Sequence, residues 1–140
     1  MEPSTLVLAG ILLLALITVE SGGAFLVRVT AGGVPANDLQ KSWYRAGHAH
    51  AAVLLVLSLA ILAFADHLDV PGWADWIART GVPVAAILMP AGFFLSVLGK
   101  NPEKPNRLSI LIGLGAACLT AGLLAAGIGA IATGAGAGSA

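Results

Sequence analysis

Apolar residues dominate four long stretches of the chain, and short polar segments separate these stretches. A helix needs roughly 20 mostly apolar residues to cross the hydrocarbon core of a bilayer. The pattern therefore predicts four transmembrane helices, at residues 5–29, 44–65, 82–99 and 108–132. The segments between them are rich in Gly, Pro, Asn and Asp, which favour turns. The Gly/Ala/Ser segment 133–140 is predicted to form a flexible tail or a frayed helix end.

The composition is typical of a membrane protein. Hydrophobic residues make up 58% of the 140 residues and charged residues only 10%, against about 25% charged residues in a soluble domain. The formal net charge is zero, so no basic surface indicates a nucleic-acid partner. The only cysteine, Cys118, can form neither an intrachain disulfide nor a thiolate metal site. We expect a single all-α domain, an integral membrane four-helix bundle whose main surroundings are the lipid bilayer.

The basic residues indicate an orientation in the membrane. Six of the seven flank the first and third connecting segments, and only Arg79 lies on the opposite side. The six are Arg28, Lys41, Arg45, Lys100, Lys104 and Arg107. Because basic loops stay in the cytoplasm, we predict that both termini face outward from a bacterial cytoplasmic membrane. Trp73 with Trp76, and Trp43 with Tyr44, are then expected to form the outer and inner aromatic belts.

Ionisable side chains within or at the edge of the predicted spans are the candidate functional residues. Glu20 lies eight residues before Arg28, or about 12 Å along a helix. A charge at that depth costs about 2.5–3.5 kcal/mol on insertion scales, so it must be protonated, paired or hydrated. His48 and His50 enter the second span on the same side of the membrane. Ser96 of the third span and Ser109 of the fourth lie at about the same depth as these histidines. We therefore predict a polar site in the cytoplasmic half of the bundle.

The predicted cofactor-binding set comprises Glu20, Arg45, His48 and His50, with the two histidines as candidate metal ligands. An intramembrane imidazole is a natural ligand of heme iron or of a transition metal ion. A proton relay would use the same groups. The two histidines are i and i+2, about 200° apart on a helix, which disfavours joint ligation of one metal. Arg45 and His48 share a face and can form an ion-pair network with Glu20. The alternatives are a structural ion pair at Glu20 and a simple interfacial location of the histidines.

Small residues suggest how the helices associate. A ridge at i+4 spacing runs along the fourth span through Ser109, Gly113, Ala117, Ala121, Ala125, Gly129 and Thr133. Such a ridge lets another helix approach closely, either in the same chain, in a second copy or in a larger membrane complex.

Pro90 is expected to kink the third span. Two further hypotheses follow, a non-catalytic accessory subunit and a small oligomeric channel or transporter. Walker, dinucleotide, HExxH and GxSxG motifs are absent from the sequence, which argues against a hydrolase or a nucleotide-driven pump.

Several segments carry a resemblance to a known group. The run from Tyr44 through Ala52, YRAGHAHAA, resembles one in small uncharacterised four-span bacterial membrane proteins, mainly actinobacterial. Residues 20–26, 87–96 and 104–108 are similar to segments of the same group, so the resemblance covers most of the chain. The group implies four spans and no transferable activity. The Gly-His-x-His run at residues 47–50 also resembles a helix of heme-copper oxidase subunit I-like proteins, in which a histidine ligates heme iron.

Overall fold

A computed structural model describes residues 1–137, which form four long α-helices and contain no strand. The helices are α1 (Pro3–Thr30), α2 (Asp38–Ala65), α3 (Gly72–Leu95) and α4 (Ile110–Ala137), and a short 3-10 turn, Arg107–Ser109, precedes α4. All four are long and apolar enough to cross a membrane. The predicted all-α fold with four membrane-spanning helices is therefore confirmed, and the protein fits a small multi-pass membrane protein.

The helices pack in chain order. α1 contacts chiefly α2, α2 contacts α3, and the most extensive contact joins α3 to α4. Thr5 near the start of α1 hydrogen-bonds to Asp66 just beyond the end of α2, so these two helices run antiparallel. The inner helices α2 and α3 hold most of the buried residues, whereas α1 and α4 leave most of their apolar side chains exposed. Such surfaces fit contact with lipid.

The second helix begins at Asp38, six residues before the predicted start at 44. Asn37 caps it, because the Asn37 side chain accepts from the Gln40 main-chain N–H and the Gln40 side chain accepts from the Asn37 N–H. This reciprocal pair is a capping box. The buried Gln40 amide also donates to the carbonyls of Val97 and Gly99 at 3.0 and 3.1 Å. The first turn of α2 is polar and therefore falls outside the hydropathy pattern. Its Gln40 side chain connects α2 to the segment after α3 by hydrogen bonds.

The third helix begins at Gly72 and ends at Leu95, whereas the sequence predicts a span of residues 82–99 with a start as early as Trp76. Its first turns carry Asp75 and Arg79, whose charges are paired and therefore tolerated near a span. Asn106 caps the C-terminal end of α3. Its main-chain N–H donates to the Ser96 carbonyl at 2.7 Å, and its side-chain amide donates to the Leu95 carbonyl at 3.0 Å. The helix continues through its internal prolines, and the kink expected at Pro90 stays a prediction.

Glycines bring α3 and α4 into close contact. A Cβ atom added to Gly81 would lie 2.7 Å from Gly122 Cα, and one added to Gly115 would lie 2.5 Å from Met89 Cγ. Contacts this short leave no room for a side chain, so the two backbones meet directly. The buried face of α4 consists of Gly115, Gly122, Ala126 and Gly129.

That buried face differs from the small-residue ridge predicted for the fourth span. Gly113, Ala117 and Ala121 of the ridge are exposed, and only its far end, at Gly129, is buried. Each i+4 step turns a helix about 40° beyond a full turn, so a ridge of seven such positions winds from one side of α4 to the other. The ridge therefore cannot serve a single partner along its whole length.

The end of the chain is helical beyond the predicted span. α4 extends to Ala137, so residues 133–137 belong to the helix end; the flexibility of this segment stays a prediction, and residues 138–140 lie outside the described part. Thr133 holds this end, because its hydroxyl accepts from the Asp69 main-chain N–H at 2.9 Å and donates to the Gly129 carbonyl at 2.8 Å.

The aromatic residues at the two ends of the bundle differ in their exposure. Trp73 and Trp76 are 70% and 67% exposed near the start of α3, as a membrane-interface belt requires. At the other end Tyr44 is buried, with its ring stacked on Phe94 and edge-on to Phe25. Tyr44 therefore packs α1, α2 and α3 together and does not act as the interfacial anchor predicted for it.

Candidate functional site

His48 lies where α1 and α2 meet, and its side chain is half-buried. Two glycines of α1 make room for it. A Cβ on Gly22 would lie 3.3 Å from the His48 Nδ1 atom, and one on Gly23 would lie 3.5 Å from Cε1. The absence of side chains at these two positions therefore lets the imidazole contact the α1 backbone directly.

A cavity of about 300 Å³ lies beside this imidazole, between α1, α2 and α3. We call it the His48 groove. Its lining includes Thr18 and Gly22 of α1, His48 and Leu55 of α2, and Pro90 and Phe94 of α3. None of the described residues that line it is an acid, a lysine or an arginine. The groove is thus an apolar cavity with one imidazole in its wall.

Polar atoms around the groove are few. Within residues 1–137, neither ring nitrogen of His48 has a hydrogen-bond partner. Pro90 has no N–H to donate to the carbonyl of Ala86, another lining residue. The Thr18 hydroxyl donates to the Ala15 carbonyl at 2.6 Å, so it has only acceptor capacity to offer. The groove therefore offers the His48 imidazole, the Thr18 oxygen as an acceptor and, at the Ala86 carbonyl, main-chain acceptor capacity.

His50 faces a different helix. Its Nδ1 atom lies 2.8 Å from the Ala46 carbonyl oxygen, which can only accept, so Nδ1 is the donor. Its ring packs against Phe93 of α3 with the ring centroids 4.9 Å apart. His48 and His50 therefore contact different helices, in keeping with their i, i+2 spacing, and they do not form a paired metal site.

Glu20 is exposed and lies away from the groove. Thr18 and Gly22, which line the groove, are each two residues from Glu20 and so about 200° around α1 from it. Arg45 is also exposed, and its Nε atom donates to the Lys41 carbonyl of its own helix at 3.2 Å. In the described part of the chain neither Glu20 nor Arg45 forms an ion pair.

Among residues 1–137, no hydrogen bond or ion pair joins the polar side chains that were expected to converge. The sequence placed Glu20, His48, His50, Ser96 and Ser109 at similar depths, but depth along a helix does not determine direction around it. Ser96 is buried, and its hydroxyl has no hydrogen-bond partner among residues 1–137. Across the same residues, no three His, Cys, Asp or Glu side chains are placed to hold a metal ion together.

A second polar cluster, which the sequence did not predict, lies at the opposite end of the bundle. The Arg79 guanidinium donates to Asp66 and to Asp75, each at 2.7 Å, and also to the Thr5 hydroxyl. The Asp66 carboxylate accepts from that hydroxyl at 2.7 Å and from the Glu2 main-chain N–H at 2.7 Å. We call this set the Arg79 cluster. It joins α1, the α2–α3 connection and α3.

The charged side chains at the centre of the Arg79 cluster are largely removed from solvent and are hydrogen-bonded to each other. The side chains of Asp66 and Arg79 are only 12% and 18% exposed. The hydrogen bond from Arg79, with a further one from Thr5, holds the pKa of Asp66 well below its ordinary value. The i, i+4 spacing of Asp75 and Arg79 was the one local signal for this cluster. The remaining members are 13 and 74 residues from Arg79, so only the fold brings them together.

Comparison of the chain with protein-family models, with the sequences of characterised proteins and with solved structures gave no significant match. A fold by itself does not assign a function. The function has to be inferred from the chemistry of the side chains and cavities of this protein.

Proposed function

We propose that the protein binds a neutral, lipid-soluble molecule in the His48 groove, with a His48 N–H donating to a carbonyl oxygen of the ligand. The observation that carries this proposal is an imidazole without a hydrogen-bond partner in the wall of a cavity of about 300 Å³. Ligand sites are typically cavities of about 300–1,000 Å³ with mostly apolar walls and a few placed polar groups. The groove fits that description.

The position of the groove supports a ligand that arrives through the bilayer. α1 contacts chiefly α2, so the groove is open to lipid between α1 and α3. An unsatisfied polar group in an apolar environment costs about 1–3 kcal/mol, which a hydrogen-bonding ligand would recover. Since no Lys or Arg lines the groove in the described chain, a neutral head group suits it better than a carboxylate or a phosphate. A quinone combines a flat carbonyl-bearing head with solubility in lipid, and the Phe94 side chain lies in the wall of the groove.

Heme and transition metals, the ligands expected from the sequence, have weaker support. Either would have to be held by the single imidazole of His48, because the His50 ring lies against Phe93. A Soret absorption band distinguishes heme from a quinone.

Binding is tested by isothermal titration calorimetry of the purified protein in detergent with decylubiquinone as the probe. We expect saturable binding by the unaltered protein and at least tenfold weaker binding by His48→Phe and by Gly22→Leu, which fills the space beside the imidazole. Ala130→Leu is the control for added bulk, because position 130 is exposed on α4, away from the groove. His50→Phe is the second control, and both controls should bind with unchanged affinity.

Two results would overturn this assignment. One is the absence of saturable binding, or equal affinity in the unaltered protein and His48→Phe. The other is a Soret absorption band in the purified protein that disappears in His48→Phe, which would identify heme as the occupant instead.

A second candidate function, a subunit that assembles with other membrane helices, is supported by Glu20. This side chain is exposed, ten residues before the end of α1 at Thr30, or about 15 Å along the helix. Lipid cannot satisfy a carboxyl group at that depth, whereas a polar group on a neighbouring helix can. Glu20 would then act in assembly and not in the His48 groove.

A further inference from the structure

The outer faces of α1 and α4 carry matching stripes of exposed residues at alternating spacings of three and four. The α1 stripe consists of Gly10, Leu13, Ile17, Glu20, Ala24 and Val27. The α4 stripe consists of Gly113, Ala117, Thr120, Leu124, Gly127 and Ile131. All are exposed except Gly10, which is partly exposed. Such spacing keeps one seam facing a partner along the whole length of a helix pair.

The two stripes lie at fixed relative levels. Near one end of the bundle Thr5 of α1 bonds to Asp66 and Thr133 of α4 bonds to Asp69, so these two threonines lie at about the same level. Because α1 and α4 run in opposite directions, residues whose numbers add up to about 140 share a level. Copies of a membrane protein have one orientation in the bilayer, so the same relation holds between neighbouring copies.

At most matched levels a large residue faces a small one, whereas Ile17 and Leu124 face each other as two large residues. Leu13 lies opposite Gly127, Val27 opposite Gly113, and Ile131 opposite Gly10. Ala24 and Ala117 form a pair of small residues. In the protomer nothing lies within 4 Å of a Cβ placed on Gly10, Gly113 or Gly127, so these glycines leave open space that a neighbour can fill. Close packing of this kind drives helix association in lipid.

The polar members of the two stripes also fall opposite each other. Glu20 and Thr120 are at the same level by the relation above. Thr120 is exposed, and its hydroxyl donates only to the Ala116 carbonyl of its own helix, so its oxygen can still accept a hydrogen bond. Direct pairing of α1 with α1 would instead place two Glu20 carboxyl groups against each other.

We propose that the chain assembles with copies of itself, with the α1 stripe of one copy packed antiparallel on the α4 stripe of the next and with Glu20 hydrogen-bonded to Thr120. This inference rests on the assembly role proposed for Glu20 and names the partner. The contact is heterologous where each copy uses its α1 stripe against one neighbour and its α4 stripe against another, and it then joins more than two copies, into a ring where the rotation closes.

Disulfide crosslinking in native membranes tests this contact. In a Cys118→Ala background, Ala24→Cys and Ala117→Cys together should give a ladder of crosslinked copies on mild oxidation, because a disulfide needs Cα atoms within about 7 Å. The matched control combines Ala24→Cys with Leu114→Cys. Leu114 is exposed but lies about 120° around the helix from Thr120, and this pair should give no ladder.

Added bulk provides an independent measurement. Gly127→Leu, in the crosslinking background, places a side chain against Leu13 of the neighbour and should abolish the ladder while the thermal unfolding temperature of the protomer stays unchanged. Ala130→Leu adds the same bulk at an exposed position outside the stripe and should leave the ladder intact.

The possible failures separate the two proposals. Equal ladders from the test and control pairs, or a dimer from Ala24→Cys alone, would overturn the α1–α4 contact. A crosslink from position 24 to a different protein would overturn pairing between copies and retain the assembly role of Glu20. The absence of any crosslinked product or larger complex would overturn both.

Discussion

Arg79 shows how much a single residue can contribute when the fold supplies its partners. Its guanidinium joins Asp66, Asp75 and Thr5, and hydrogen bonds to charged groups are worth about 1.5–3 kcal/mol each. We expect Arg79→Gln to lower the free energy of unfolding by about 1–3 kcal/mol, measured by thermal unfolding in detergent. Lys104→Gln is the control, because Lys104 is exposed and forms no ion pair among the described residues. Equal effects of the two substitutions would rule out a stabilising role for the cluster.

Acid should weaken the same cluster over a defined range of pH. The pKa of Asp66 in the folded protein lies below its ordinary value of 3.8, chiefly because of the hydrogen bond from Arg79. The charged carboxylate therefore contributes its full stabilisation above pH 3.8, and that contribution is lost as the pH falls towards the lowered pKa. Between about pH 7 and about pH 5 it stays constant. Asp66→Asn should lower the unfolding temperature at neutral pH and reduce its further fall below pH 3.8. An acid fall of the same size in both proteins would contradict this.

The sequence identified polar residues at this scale better than it identified their partners. Glu20 and His48 stand out in the sequence because polar groups are costly in a bilayer. Whether they meet depends on the rotation and crossing of α1 and α2. In the structure His48 contacts Gly22 and Gly23, while Glu20 is exposed on another face. For the same reason, the sequence does not predict the partners of Arg79 that lie far from it along the chain.

At the scale of the element, the hydropathy pattern gives the four helices but not their ends. The first turns of α2 and α3 are polar, so the hydropathy pattern places them outside the core of the predicted spans. They are helical because specific partners satisfy them, the capping box of Asn37 and Gln40 in one case and the pairing of Asp75 with Arg79 in the other. Such partners lie outside the hydrophobic signal that marks the centre of a span.

Glycines on α4 illustrate the difference between a residue type and its environment. Gly122 and Gly127 are alike in the sequence, but a Cβ on Gly122 would lie 2.9 Å from the Val82 nitrogen, whereas one on Gly127 would contact nothing within 4 Å. We expect Gly122→Ala to destabilise the protein by about 1–3 kcal/mol through overpacking. Gly127→Ala should leave the unfolding temperature of the protomer unchanged or slightly raised, because Ala favours helix. Thermal unfolding of both variants measures this difference, and identical unfolding temperatures would contradict the close contact of α3 with α4.

At the scale of the whole molecule, the charges divide between the two ends of the bundle. Six basic residues lie at the end where α1 finishes and α2 begins or in the segment between α3 and α4, whereas Asp66, Asp69 and Asp75 lie at the other end. By the positive-inside rule we predict that the Arg79 cluster faces outward, together with both termini.

Labelling of single cysteines in intact cells tests that orientation. In the Cys118→Ala background, a membrane-impermeant maleimide should modify Ser4→Cys in intact cells. It should modify Gly33→Cys and Glu103→Cys, in the first and third connections, only after the membrane is permeabilised. The reverse pattern would show the opposite orientation, and labelling of all three in intact cells would contradict a single orientation.

The sequence by itself determined the class of the protein, the number of helices and the polar residues that are unusual in a span. It did so because hydropathy is a local property, readable from about 20 successive residues. Only the tertiary structure decided which faces meet. It placed His48 beside a groove and Glu20 on an outer surface, buried Tyr44 between two other rings, and assembled the Arg79 cluster. The physical reason is that packing of helices depends on rotation and close approach, which small residues permit at many angles, so the pattern along one helix does not determine its partner.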